Sequence, residues 1–255
     1  MTGGGGSRGA ILAFHAVEDG PGPLCVGLEA FRRQVEALSE AGAEAFTVTD
    51  FVQRLRAGSL PLRAVAFTFD DGYESVHRHA LPVLEAVGYP ASVFPVTSQI
   101  GGANTWDDAG GRPPLRLLAR RQLEELGAAG WEVGGHTHTH RPLAGLPENE
   151  VVDEVRTSTR RLEDLLGVAV RSFAYPYGAW DPVSRRIAGE AHDVCLGIGA
   201  SLATARSDVD LLDRVDAWYL QPPWVAGRVH AADGRAYLAV RRAGRAAGRA
   251  ARRRR

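Results

Sequence analysis

Residues 64–72 read Ala64-Val65-Ala66-Phe67-Thr68-Phe69-Asp70-Asp71-Gly72. The first six are apolar or β-branched, which is typical of a strand buried on both faces, and two carboxylates follow at its end. Burying adjacent carboxylates is costly unless a cation or a proton lies close to them. Residues 73–87 then have a helical pattern that contains Pro82. Strand, acidic tip and helix in this order are typical of α/β barrels, whose functional residues follow the strands. A turn in which Asp70 caps the helix is the alternative.

Strand and helix patterns alternate along the rest of the chain. Strands are predicted at 11–14, 46–48, 91–96, 131–135 and 194–198, and helices at 29–41, 49–56, 120–129 and 181–190. A chain of 255 residues with 45% hydrophobic residues has the usual size of one α/β barrel domain. We therefore expect one barrel domain over residues 10–240, between a flexible lead (1–9) and an Arg-rich tail (241–255).

Charge is unevenly distributed. The formal net charge is zero, but residues 241–255 hold eight of the 30 basic residues and no acidic one, which leaves the other residues at −8. This tail predicts weak contact with an anionic membrane at most, and no specific nucleic-acid partner. The first apolar run, Ile11 to Phe14, is too short for a signal peptide or a membrane span. We therefore expect a cytoplasmic protein, at most peripheral at a membrane.

Three histidines, His136, His138 and His140, directly follow the strand predicted at 131–135. Three imidazoles within five residues are difficult to explain by core packing, because each ring has two nitrogens to satisfy. His136 and His140 share a face if the segment curls into a helical turn, whereas His136 and His138 share one only in a strand. The neighbouring glycines favour the curled form. Two of these histidines and one carboxylate from the acidic tip would form an Asp-His-His metal site of the catalytic type.

These motifs together resemble the polysaccharide deacetylases with a NodB homology domain, carbohydrate esterase family 4. The family motif TFDDG matches Thr68–Gly72, its HxxxH motif matches His136–His140, and its third motif resembles Phe-Ala-Tyr-Pro-Tyr-Gly at 173–178. The resemblance implies a distorted (β/α)7 barrel that hydrolytically removes acetyl from an N-acetylated amino sugar or oligosaccharide. An amidase of the same fold acting on a non-sugar amide or imide, and an inactive glycan-binding relative, are the alternatives.

The resemblance also implies roles for single residues. It assigns a divalent metal, Zn²⁺ with Co²⁺ or Ni²⁺ as alternatives, to Asp71, His136 and His140. It makes Asp70 the general base, and it makes the backbone N–H of Tyr177 a donor to the oxyanion.

Substrate contacts are expected from two segments. One is the long Gly-rich loop at 97–114, which contains Trp106 and Asp107. The other is the third motif, with Tyr175 and Pro176.

Two positions depart from the family pattern. The arginine that orients the base in many members is replaced by Ala174, and Arg214 is our candidate to supply the guanidinium. The alternative for Arg214 is a surface salt bridge with Asp213 or Asp216.

The histidine motif that usually supplies the general acid is also absent. We prefer His15, at the tip of a buried strand, over His230 as the acid.

Overall fold

The computed structural model describes residues 8–20, 22–106, 114–222 and 224–252, with side chains described as far as residue 244. Its strands are β1 (Arg8–Phe14), β2 (Glu44–Ala45), β3 (Ala64–Asp71), β4 (Ala91–Pro95), β5 (Glu132–Val133), β6 (Ser172–Ala174), β7 (Val194–Leu196), β8 (Ala203–Thr204) and β9 (Val215–Asp216). Its helices are α1 (Leu28–Glu40), α2 (Val48–Arg56), α3 (Leu81–Glu85), α4 (Arg120–Ala128), α5 (Glu148–Leu166), α6 (Pro182–Ala191) and α7 (Ala232–Arg252).

Seven of these strands form a parallel ring. β3 pairs with β1 on one side and β4 on the other, and β4 pairs with β5. Gly135, after β5, bridges to Phe173 of β6, which pairs with β7. Leu196 of β7 bridges to Leu212, and β9 closes the ring by pairing with β1. Two of these connections between strands, Gly135 with Phe173 and Leu196 with Leu212, are single β-bridges. The predicted distorted (β/α)7 barrel is therefore confirmed.

β3 lies at the centre of the core, and all eight of its residues are buried. The rings of Phe67 and Phe69 stack against Phe14 of β1, with centroids 5.9 and 5.3 Å apart. Phe69 also stacks on Trp131 at 5.3 Å. Burying a large apolar side chain contributes about 1.5–3 kcal/mol relative to leaving it exposed. This aromatic layer therefore fixes β3 between its neighbours, and with it the position of the acidic end.

Local predictions around the first helices needed correction. The strand predicted at 46–48 lies at β2, two residues earlier, and α2 begins at Val48. Its N-cap is Thr47, because the Thr47 hydroxyl accepts a hydrogen bond from the Asp50 backbone N–H at 3.4 Å. The helix predicted over 73–87 is a π-helical turn at 76–80 followed by α3. Proline near the start of α3 lacks the N–H that a continuous helix would need there.

The sequence analysis missed α5, the 19-residue helix between the histidine cluster and β6. Its sequence carries ordinary boundary signals. Pro147 precedes its first residue, and Gly167 ends it in the left-handed conformation with φ 70°. This omission matters because α5 supports the functional site.

Two elements cross the predicted domain boundaries, which stay predictions. β1 begins at Arg8, inside the predicted lead, and α7 continues through residue 240 to Arg252. The contact of residues 241–255 with an anionic surface stays a prediction, since most side chains of this segment lie outside the description. Within the described part of the chain, no helix is both long enough and apolar enough to cross a bilayer.

The join between β5 and β6 generates a stability prediction. An alanine at position 134 would place its Cβ 2.3 Å from Cε1 of Phe94 and 2.5 Å from Oγ of Ser172, and both side chains are buried. We expect Gly134→Ala to lower the free energy of unfolding by about 1–3 kcal/mol, because the core there has no space for a methyl group. Denaturant unfolding followed by circular dichroism measures the change.

Gly127→Ala in α4 is the matched control. Its new methyl group would meet no described atom within 4 Å, and alanine favours a helix over glycine by about 1 kcal/mol. This variant should be as stable as the original protein or more stable. If Gly134→Ala were equally well tolerated, the packing argument for the β5–β6 join would be wrong.

Candidate active site

The acidic end of β3, the histidine turn after β5 and the residue before β9 meet at one end of the barrel. They line a cavity of about 830 Å³ that includes Asp70, Asp71, His136, His140 and Arg214. All five of these side chains are buried. The structure therefore brings together residues that are up to 144 positions apart in the sequence.

Arg214 makes a bidentate ion pair with Asp70. Its Nη1 and Nη2 atoms each lie 2.7 Å from one carboxylate oxygen. Nη1 also donates to the hydroxyl of Thr68 at 3.2 Å, and Nε donates to the carbonyl of Gly197 at 3.0 Å. The guanidinium is 1% exposed, so the alternative of a surface salt bridge is wrong.

This ion pair determines the charge of Asp70. Burial opposes ionisation, but the Arg214 guanidinium, together with the nearby His136 and His15, outweighs burial and lowers the pKa of the Asp70 carboxyl below its ordinary value of 3.8. Asp70 is therefore an anion at neutral pH. Because Arg214 holds both oxygens, the carboxylate also has a fixed orientation.

The neighbouring carboxylate, Asp71, faces two imidazoles. Its Oδ1 atom lies 3.2 Å from Nε2 of His136 and 3.1 Å from Nε2 of His140. One ligand atom from each of these residues lies within 4.8 Å of the others. Burial opposes the ionisation of Asp71, but the two imidazoles beside it hold its pKa well below the ordinary value.

The donor atoms of this set fit a divalent metal ion. Nδ1 of His136 lies 2.7 Å from the carbonyl oxygen of Ala174, so Nδ1 carries the proton in the neutral ring. Nε2 then presents a lone pair toward Asp71, whose buried Oδ1 has no hydrogen-bond partner among the described residues. Two facing lone pairs require a cation or a proton between them. One carboxylate and two imidazoles are a ligand set that suits Zn²⁺.

The histidine segment curls, but it does not form the predicted helical turn. Thr137 and His140 adopt left-handed backbone angles, each with φ 65°. The hydroxyl of Thr137 accepts a hydrogen bond from the His140 backbone N–H at 3.0 Å. This turn brings His136 and His140 together, while Nδ1 of His138 contacts the hydroxyl of Thr97 at 3.0 Å.

Glu154 of α5 is the supporting residue that sequence analysis missed. Its carboxylate accepts hydrogen bonds from the backbone N–H groups of His138 and Thr139, at 2.9 and 2.8 Å. It is 7% exposed. A glutamate on the buried face of an amphipathic helix is the signal that could have identified it, because buried carboxylates need partners.

Backbone strain is concentrated in this region. Non-glycine residues rarely adopt positive φ, and each instance costs about 1–3 kcal/mol. In the described part of the chain five such residues occur, and four of them belong to the three motifs: Asp71, Thr137, His140 and Tyr177. The surrounding packing therefore maintains a strained arrangement of the site residues.

The predicted acid candidates lie at different ends of the molecule. His15, after β1, is half-buried in the wall of the main cavity. His230 lines a separate cavity with Arg8 and Arg63, which lie at the opposite ends of β1 and β3. His230 is therefore too remote to donate a proton at this site, and that alternative is wrong.

The residues predicted to contact the substrate do not all line the cavity. Tyr175 lies in its wall, with its hydroxyl 3.2 Å from the carbonyl oxygen of Asp210. Trp106 packs on the ring of His140, with centroids 4.6 Å apart. Pro176 is buried at the start of a short 3-10 turn. Asp107 lies outside the described residues.

Tyr177, in the same turn, is half exposed beside the cavity, and its ring lies 4.7 Å from that of His140. Its backbone φ is 56°. The role of its N–H group in binding an oxyanion stays a prediction.

Known proteins share this architecture. The solved structure of IcaB from Ammonifex degensii superposes with a TM-score of 0.73 at 26% identity, and it covers 89% of this chain and 98% of that one. The Streptococcus pyogenes deacetylase PplD, solved in complex with acetate, has the same fold. Its TM-score is 0.72 at 21% identity, over 82% of this chain and 92% of that one.

Curated sequence relatives are poly-β-1,6-N-acetyl-D-glucosamine N-deacetylases. The protein from Staphylococcus epidermidis is 29% identical over 157 residues, which are 58% of this chain and 52% of that protein. A relative from Staphylococcus aureus is 26% identical over the same shares. The chain thus spans about half the length of the curated relatives that it matches.

A family model described as polysaccharide deacetylase matches residues 57–192. This match covers more than half of the chain and contains the TFDDG, HxxxH and third motifs. The chain belongs to the polysaccharide deacetylase family.

Proposed function

We propose that this protein is a metal-dependent hydrolase that removes the N-acetyl group from an N-acetylated amino sugar. The observation that carries the proposal is the buried Asp71-His136-His140 set beside an Asp70 carboxylate held by Arg214, all open to one cavity. The names of the curated relatives support an acetamido sugar as the substrate, with β-1,6-linked N-acetylglucosamine as the first candidate. The predicted cytoplasmic location stays a prediction.

Substrate would enter the 830 Å³ cavity, whose volume falls within the range of about 300–1,000 Å³ that is typical of small-ligand sites. A divalent ion held by Asp71, His136 and His140 would supply a Lewis acid for the acetyl carbonyl and would lower the pKa of water to about 7.

Asp70 would accept the proton of the attacking water. It is ionised and fixed in orientation, which are the two properties that a general base needs. His15, in the wall of the same cavity, would donate a proton to the departing amine. The N–H of Tyr177 would donate to the oxyanion.

Removal of a metal ligand generates the first functional prediction. Asp71→Ala, His136→Ala and His140→Ala should each lose the bound metal after Zn²⁺ loading and dialysis, measured by atomic spectroscopy. His138→Ala is the matched control and should retain it, because the His138 ring faces Thr97. If His138→Ala emptied the site while His140→Ala did not, the proposed ligand set would be wrong.

The proposed activity is tested by acetate release from a panel of substrates. The panel contains β-1,6-linked N-acetylglucosamine oligomers, other acetamido sugars and a non-sugar acetamide. Asp70→Asn should retain the metal but lose turnover by about 10²–10⁴-fold, since it removes the base. Acetate release from the non-sugar amide alone would contradict the sugar substrate, and full activity of Asp70→Asn would exclude Asp70 as the base.

Arg214→Met generates a prediction about pH. Without the guanidinium, burial raises the pKa of Asp70, so the acidic limb of the kcat/KM profile should move to higher pH. The protein should also lose about 3–5 kcal/mol of stability at neutral pH, because a buried carboxylate is left unpaired. This loss should shrink in acid. A carboxyl with a lowered folded-state pKa stabilises the fold above its ordinary value of 3.8, and that stabilisation disappears as pH falls through the folded-state pKa.

Arg171→Met is the matched control for this substitution. Arg171 pairs with Asp193 at 2.7 Å, but both side chains are half exposed, so its loss should cost no more than about 1 kcal/mol. It should leave the pH profile unchanged. An Arg214→Met profile identical to that of the original protein would show that Arg214 does not control the ionisation of Asp70.

A further inference from the structure

A second cavity, of about 530 Å³, lies at the end of the barrel opposite the active site. Arg8, the first residue of β1, and Arg63, immediately before β3, both line it. The catalytic residues follow the other ends of the same strands. A strand of seven residues is about 23 Å long at about 3.3 Å per residue, so the two cavities are separate sites.

The lining of this second cavity is strongly basic. Four arginines contribute to it, namely Arg8, Arg63, Arg228 and Arg235. Among the described residues only Arg228 has a carboxylate partner, Asp233, at 2.6 Å. The other three arginines therefore line one space without a carboxylate partner in the described structure. Clustered like charges repel one another, so an anion between them would be stabilised.

Two of these arginines are held in place by the backbone. Nη1 of Arg63 donates to the carbonyl oxygen of Ala41, and Nη1 of Arg235 donates to that of His230. Each contact uses one donor of a guanidinium that has five. The side chains are therefore oriented in advance and retain N–H groups for a ligand, which reduces the entropy lost on binding.

His230 adds an independent observation. Both of its ring nitrogens are inaccessible to solvent and have no hydrogen-bond partner among the described residues. Burial and the charges of Arg63 and Arg235 lower the pKa of His230 to about 4, so the ring is neutral at pH 7. A neutral imidazole always keeps one N–H donor. Because neither ring nitrogen is accessible to solvent, an anion in the cavity would act on His230 through its charge rather than through a hydrogen bond.

We propose that this cavity binds a phosphate-type anion. A phosphate group offers several acceptor oxygens and up to two negative charges, which match several convergent guanidinium forks better than a single carboxylate does. The site lies on the opposite end of the barrel from the acetyl-removing chemistry, so its occupancy leaves the active-site cavity open. The ligand is either a soluble phosphate compound or the headgroup of an anionic lipid.

The test is titration of the full chain with inorganic phosphate at low ionic strength, by isothermal calorimetry. Leu62 lines the cavity and is 77% exposed, so its substitution disturbs no core packing. Leu62→Glu should weaken phosphate binding by about tenfold or more, because it places a like charge beside the ligand. Leu62→Gln, with the same shape and no charge, should bind within about twofold of the original protein.

Nuclear magnetic resonance of the His230 ring provides a second readout. Bound phosphate should raise the pKa of His230 above its value of about 4, since a nearby anion favours the imidazolium. A His230→Gln variant identifies the signal. The proposal is overturned if phosphate leaves this titration unchanged, or if Leu62→Glu binds phosphate as well as Leu62→Gln does.

Measuring retention on lipid vesicles distinguishes the two sources of the phosphate group. If Leu62→Glu also reduces retention on phosphatidylglycerol vesicles relative to Leu62→Gln, the ligand is a lipid headgroup. If vesicle retention is equal while phosphate binding falls, the ligand is a soluble phosphate compound. Both results support the site. Acetate release by Leu62→Glu should equal that of the original protein, so failure of this site is distinguishable from failure of the proposed activity.

Discussion

The buried ion pair between Arg214 and Asp70 is the interaction on which the active-site end of the barrel depends. Removing two charges from water costs several kcal/mol per ion, and only close pairing with full hydrogen bonding offsets that cost. Here the Arg214 guanidinium donates two hydrogen bonds to Asp70, one to the hydroxyl of Thr68 and one to the carbonyl of Gly197. The pair joins β3 to the segment that leads into β9, the strand that closes the ring. The same ion pair therefore contributes to closure of the barrel and fixes the orientation of Asp70, the proposed base.

Two adjacent carboxylates, Asp70 and Asp71, have different surroundings, and these support different proposed roles. Asp70 faces the guanidinium of Arg214, which stays protonated and positively charged near neutral pH. Asp71 faces two imidazoles, whose nitrogens can bind a metal ion only when they are unprotonated. A single strand end thus supplies a fixed anion and a candidate metal ligand, which the proposed hydrolysis would use as the base and as part of the Lewis-acid site. The left-handed φ of 68° at Asp71 belongs to the bend that separates their environments.

Sequence patterns predicted the parts of the site that are local in the chain. A continuous apolar run ending in two carboxylates, and histidines four apart after a strand, each have few physical explanations. The same reasoning could not give the form of the histidine turn, because Glu154, which fixes it, comes from a helix that begins eight residues after His140. Its preference for His15 over His230 as the acid rested only on the buried strand that precedes His15. Both are single histidines, and only the path of the barrel shows that they lie at opposite ends.

The position of Arg214 shows why a barrel tolerates departures from a linear motif. Strands of the ring end around one central space, so a guanidinium can reach Asp70 from β9 as well as from β6. In β6, Ala174 has no side chain that could pair with the base, yet its carbonyl oxygen accepts the proton of Nδ1 of His136. The backbone of β6 thereby orients His136, a proposed metal ligand, while the residue before β9 orients Asp70, the proposed base. The proposed reaction requires a cation beside the Asp70 carboxylate, and the closed ring allows more than one strand to supply it.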